Sequence, residues 1–115
     1  MIVSVLINNY NYGRFLKEAI ESVLHNGCKH DLEVIVYDDG STDNSVEVLQ
    51  SFGEKIKFIS NNNFGKAPSL NQSNAIEESF EISTGEFVFL LDSDDVFSEN
   101  KINEVVERFT NNKNI

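Results

Sequence analysis

The chain has 115 residues and carries 19 Asp and Glu against 9 Lys and Arg, a formal charge of −10 at pH 7. This length fits one domain that buries roughly two-thirds of the surface its unfolded chain exposes, so a core forms without staples. The acidic balance excludes a general nucleic-acid or anionic-membrane surface, and an anionic ligand would need a cation between it and the protein. The single Cys28 has no internal disulfide partner, and the apolar start over 1–7 is broken at once by Asn8 and Asn9. Neither a membrane span nor a secretory leader fits there, and a reducing, cytoplasmic setting is expected.

In chain order, Ile2 to Ile7 is a β-branched run ended by the polar turn Asn8-Asn9-Tyr10-Asn11-Tyr12-Gly13, and predicts a buried first strand. Phe15, Leu16, Ala19, Ile20, Val23 and Leu24 recur at three- and four-residue spacing and predict a helix stopped by Asn26-Gly27. Leu32 to Tyr37 predicts the second strand. Ser41 is the expected cap of a helix carrying Val46, Val48, Leu49 and Phe52, with Asp43 near its positive end and Gly53 closing it. Ile56 to Ile59 predicts a third strand, Asn61 to Gly65 a loop, and Pro68 to Phe80 a helix with Leu70, Ala75, Ile76 and Phe80 inward. Glu86 to Leu91 predicts the fourth strand, and Ser98 the cap of a last helix with Ile102, Val105, Val106 and Phe109. Continuous apolar strands alternating with helices imply an α/β, Rossmann-like domain, a mainly parallel sheet with helices on both faces.

Right-handed crossovers bring the loops after parallel strands to one edge, where ligands of open α/β sheets bind. Asn8-Asn9-Tyr10, Asp38-Asp39 and Asp92-Ser93-Asp94-Asp95 are therefore expected to converge. Crowded carboxylates repel unless a cation compensates them, and hard oxygen ligands favour Mg²⁺ or Mn²⁺. The plainer readings are a turn and helix cap for Asp38, Asp39 and Asp43, a solvated turn for Asp92, Asp94 and Asp95, and a solvated loop lysine for Lys66.

Val3-Ser4-Val5-Leu6-Ile7 with Tyr10-Asn11, Glu21-Ser22-Val23-Leu24, Glu33 to Asp43, and Gly85-Glu86-Phe87 leading into Asp92-Ser93-Asp94-Asp95 occur in that order over nearly the whole chain. In this order they resemble the family 2 glycosyltransferases of the GT-A fold. The resemblance implies inverting transfer of a sugar from a nucleotide diphosphate donor, a UDP-sugar favoured, to a glycan, lipid-linked or protein acceptor. It implies that Asp39 receives the base and that Asn8 to Tyr10 wall its pocket, with Tyr10 stacking. A carboxylate suits uracil because it accepts the ring N–H that cytosine lacks. Asp38, Ser93 and Lys66 join the nucleotide-sugar contacts, with Lys66 near a donor phosphate. Asp92 and Asp94 match the Asp-X-Asp pair, with Asp94 on the metal and Asp92 on ribose or metal, while Asp95 is an outer or acceptor-side contact.

Two departures from the family pattern are Asn8 in place of the usual proline and a long stretch between Asn71 and Gly85. The family's acceptor site and catalytic base lie beyond the nucleotide-binding half. The chain is therefore expected to be one domain over 1–115, the donor-binding half truncated before the acceptor half, inactive alone and prone to self-association through uncovered apolar surface. Asp95 is the fallback base. Any association with the inner face of the membrane would come through the missing region. The alternatives are a non-catalytic nucleotide-sugar-binding module and a Mg²⁺-binding phosphorelay receiver. The receiver is disfavoured because the first strand ends in Asn8-Asn9 rather than an acidic pair.

Overall fold

The computed structural model describes residues 1–60 and 79–111. The elements are β1 (Ile2–Asn9), α1 (Gly13–Leu24), β2 (Asp31–Asp38), α2 (Ser45–Ser51), a 3₁₀ turn (Gly53–Lys55), β3 (Lys57–Ser60), β4 (Phe87–Asp92) and α3 (Lys101–Asn111), with a helical turn over 79–82. Most of the helix expected from Pro68 to Phe80 lies outside the described residues.

The four strands form an α/β sheet in the order β3-β2-β1-β4, and every pairing is parallel. Strand order runs one way from β1 to β3 and the other way to β4, which makes the carboxyl end of β1 the switch point where such sheets open a crevice. Both β1 and β2 run further than their apolar stretches. Asn8 and Asn9 pair with Tyr37 and Asp38, and Asn8 also pairs with Asp92. Ladder bonds come from the backbone, so a polar side chain does not end a strand whose neighbours continue.

One cluster joins Val3, Val5, Ile7, Val34, Val36 and Leu91 of the sheet to Leu16, Ala19, Ile20 and Val23 of α1, Leu49 of α2, and Ile102 and Val106 of α3. The three described helices therefore share one face. On the other face Leu6, Ile35 and Tyr37 are also buried. Phe80, expected inward, is largely exposed, and Phe15 and Phe109 are exposed as well. Phe15 flanks the apolar stripe of α1 and lies under the Arg14 guanidinium, 4.7 Å from its ring centre, and Phe109 rests against Phe87 at 6.0 Å.

Two helix starts differ from the sequence reading. Asp43, not Ser41, holds the start of α2, because its carboxylate accepts from the Ser45 N–H (2.9 Å) and hydroxyl (2.5 Å) and from the Gly13 N–H (2.9 Å) that opens α1. Those donors outweigh the effect of burial and hold the Asp43 carboxyl below its ordinary range. α3 begins three residues after Ser98, and its cap comes from the end of α1. The buried Asn26 accepts from the Ile102 N–H (2.9 Å) and donates to the Ser98 carbonyl (2.9 Å). Asn103 completes the clamp by donating to the Gly27 carbonyl (2.7 Å) and accepting from the Lys29 N–H (2.9 Å).

Toward the opposite edge of the sheet Glu33 ties three strands and the turn before β4 together. It accepts from the Ser4 hydroxyl (2.8 Å), Lys57 Nζ (2.9 Å) and the Thr84 N–H (2.9 Å). Burial pushes its carboxyl up, but these donors prevail and the pKa lies below its ordinary 4.5. A depressed carboxyl contributes stability above its unfolded pKa and loses it as pH falls through the folded one. Glu33→Gln is therefore expected to lose about 1–2 kcal/mol at pH 7, with a smaller gap to the wild type in acid. Urea unfolding of both proteins at neutral and acid pH measures this, and a gap independent of pH would refute it.

Candidate nucleotide and metal site

The carboxyl edge is drawn together by two backbone bonds that continue the ladder past the strands. The Asn9 carbonyl accepts from the Asp39 N–H (3.0 Å) and the Asn8 carbonyl from the Ser93 N–H (3.2 Å). β1 thus holds residue 39 on one side and residue 93 on the other.

The adjacent acids Asp38 and Asp39 have different surroundings. Asp38 is fully buried. Its Oδ1 accepts from Asn9 Nδ2 (2.9 Å) and the Ser41 hydroxyl (2.5 Å), and its Oδ2 from the Ser41 N–H (3.1 Å) and the Ser60 hydroxyl (3.4 Å). Both oxygens are engaged inside the framework, so Asp38 stands beneath the rim. This bonding also recruits Ser41, the expected helix cap, into the site framework.

Asp39 is 6% exposed, and among the described residues its Oδ1 has no hydrogen-bond donor. Burial first, and then the negative Asp38, raise its carboxyl above the ordinary range. A buried acceptor without a donor is costly unless a ligand supplies one. Asn9 Oδ1 and Ser93 Oγ are likewise buried without partners among the described residues. The Asn9 amide orientation follows from its neighbours: Nδ2 faces Asp38 and the Ser41 oxygen, 3.3 Å away, so Oδ1 is left without a partner. Tyr10 is 45% exposed at the rim. Lys66 lies outside the described residues.

Asp92, Asp94 and Asp95 each bring a carboxylate oxygen within 4.8 Å of the others, all exposed. The Asp95 N–H closes a turn on the Asp92 carbonyl (3.0 Å). Three charged oxygens at this spacing fit a hard divalent cation such as Mg²⁺ or Mn²⁺. Asp95, expected as an outer contact, belongs to the same cluster as Asp92 and Asp94.

The chain is a parallel α/β domain with a buried acceptor and an acidic cluster flanking its switch point, and its structural neighbours are GT-A glycosyltransferases. The glycosyl transferase family 2 model matches residues 4–115. The chain belongs to that family. It is 43% identical over 113 residues to an uncharacterized glycosyltransferase of Nostoc sp., covering 95% of this chain and 33% of the relative. Among solved structures, Staphylococcus aureus TarS 1-349 in complex with UDP-GlcNAc superposes with a TM-score of 0.76 at 25% identity, covering 96% of this chain and 33% of that one. The mannosyltransferase PcManGT of Pyrobaculum calidifontis, in complex with GDP-Man and Mn²⁺, gives 0.78 at 20% identity, covering 98% and 33%. The chain spans about a third of the length of these proteins. The family match sets aside the phosphorelay receiver.

Proposed function

We propose that the chain binds the nucleotide diphosphate of a sugar donor, a UDP-sugar favoured, through Asp39 and a divalent cation. In the intact protein it would serve inverting transfer to a glycan, lipid-linked or protein acceptor. The observation that carries this reading is the pairing of a buried, donorless Asp39 oxygen after β2 with three clustered carboxylates after β4. β1 lies between them, so the strands that carry the two groups run about 10 Å apart, two strand spacings. That span is comparable with the reach from a base edge to its diphosphate. The UDP-GlcNAc and GDP-Man complexes of the two structural neighbours support a donor of this class.

Asp39 would accept the imide N–H of the base, Tyr10 would stack on it, and Ser93 and Lys66 would line the donor. Asp92 and Asp94, with Asp95 beside them, would hold Mn²⁺ or Mg²⁺. Such a cation neutralises the leaving diphosphate. Acceptor positioning and the general base are proposed to come from outside this chain, so it would bind donor yet transfer little by itself. A cytoplasmic setting, with any membrane contact made by other parts of the protein, goes with this reading.

Calorimetric titration with UDP, GDP and CDP, each with and without Mn²⁺, tests ligand class, base and metal together. UDP is expected to bind more tightly than CDP, and Asp39→Asn to weaken UDP on the order of tenfold or more and erase that preference. Equal wild-type affinity for UDP and CDP would remove the assignment of Asp39.

A further inference from the structure

Asn11 follows the rim tyrosine and takes a left-handed backbone, φ 55°, a conformation asparagine tolerates better than most residues. Its side chain lies across the gap between the β1–α1 and β2–α2 loops. Asn11 Oδ1 accepts from the Thr42 N–H (2.8 Å), the Asp43 N–H (3.3 Å) and the Thr42 hydroxyl (3.5 Å), while its own N–H donates to the Ser41 hydroxyl (2.9 Å). The partners are about thirty residues away in sequence, and the contacts are exposed to solvent.

These bonds bear on the site because of what they flank. Tyr10 sits between Asn9, bonded to Asp38 and Ser41, and Asn11, bonded to Ser41, Thr42 and Asp43. Asp39 sits between Asp38, whose carboxylate holds Ser41, and the Ser41–Asp43 segment that Asn11 grips. Each proposed base contact thus lies between anchored residues, and the two anchored segments are joined through Asn9 and Asn11. Asn9 acts from within the buried framework, while Asn11 acts from the solvent side, where nothing else among the described residues bonds Thr42 to the first loop.

We infer that Asn11 is a positioning residue for the nucleotide base, its carboxamide fixing the separation of Tyr10 from Asp39 before the ligand arrives. The inference rests on the proposed nucleotide site. Pre-ordering of this kind lowers the entropy lost on binding and so appears in affinity rather than in the fold alone. The acceptor oxygen does the work, because all three groups facing it are donors.

The test compares the intact wild-type protein with Asn11→Gly, which keeps the left-handed backbone and deletes the acceptor, and Asn11→Asp, which keeps an acceptor. Titration with UDP and with GDP in Mn²⁺ is expected to show Asn11→Gly weaker on the order of tenfold, with Asn11→Asp near wild type. Hydrogen exchange without nucleotide is expected to show the Thr42 and Asp43 amides losing protection in Asn11→Gly and keeping it in Asn11→Asp. A purely structural role would lower the melting temperature of Asn11→Gly yet leave nucleotide affinity below that temperature unchanged, and that result overturns the inference. Unchanged protection of the two amides in Asn11→Gly overturns it as well, whether or not nucleotide binds. If wild type bound neither nucleotide, the donor-site reading itself would fall, and the positioning role with it.

Discussion

Asp94→Asn is expected to abolish Mn²⁺-dependent nucleotide binding, weakening it by at least about 100-fold, and to remove sugar transfer by the intact protein. Asp92, Asp94 and Asp95 present oxygens within 4.8 Å of one another. Three like charges at that distance favour any state that brings in a cation. Asparagine preserves the shape and one oxygen but removes a charge, so the loss reports electrostatics rather than packing. The three carboxylates are exposed, and surface substitutions of this kind change stability little. Titration of UDP with and without Mn²⁺ separates the contributions: the metal-free affinity should be unchanged while the metal-dependent gain disappears. A full Mn²⁺-dependent gain in Asp94→Asn would mean that the cation binds elsewhere or that the ligand is of another class.

Gly85→Ala is expected to cost about 2–3 kcal/mol and to lower the melting temperature by roughly 10 °C. A Cβ on Gly85 would lie 2.5 Å from Ser4 Oγ, 2.6 Å from Ser4 N and 2.9 Å from the Phe87 carbonyl. The Ser4 nitrogen and the Phe87 carbonyl are backbone atoms of β1 and β4, adjacent strands of the sheet, and cannot yield without opening a rung. The serine oxygen is also fixed, because it donates to Glu33 and accepts from the Gly85 N–H (3.0 Å). Gly27→Ala is the control. Its φ of +75° strains any side chain, but a Cβ there meets nothing within 4 Å, so its cost should stay near 1 kcal/mol. Thermal and urea unfolding of the two variants compare them, and equal losses would show that the close approach of Gly85 to β1 is not what excludes a side chain.

Where the sequence pattern and the structure differ, the differences have a common origin. The apolar runs that predict the four strands are real, because parallel strands covered on both faces must be apolar. Their ends were misplaced where polar residues pair through backbone, as Asn8 and Asn9 do with Tyr37 and Asp38. The sequence pattern points to the nearest serine, Ser41 or Ser98, as the cap of α2 or α3. Asp43 holds the start of α2, and Asn26, 76 residues before its partner Ile102, caps α3. A local rule finds local partners, and a donor that arrives from another element leaves no mark in the spacing.

The alternation of strands and helices, the carboxyl edge as the place for chemistry, and the acidic residues standing there are all legible in the order of residues. These follow from hydrophobic periodicity, crossover handedness and the repulsion of clustered carboxylates, all readable from order and residue type. How those residues divide the work depends on the folded arrangement. Asp38 and Asp39 are the same letter twice, yet one is saturated by Asn9, Ser41 and Ser60 while the other keeps a buried oxygen without a donor. The physical reason is that hydrogen-bond satisfaction depends on which atoms from distant segments reach a given oxygen. The bonds of Asn11 to the second loop and of Glu33 to β1, β3 and the turn before β4 follow the same rule.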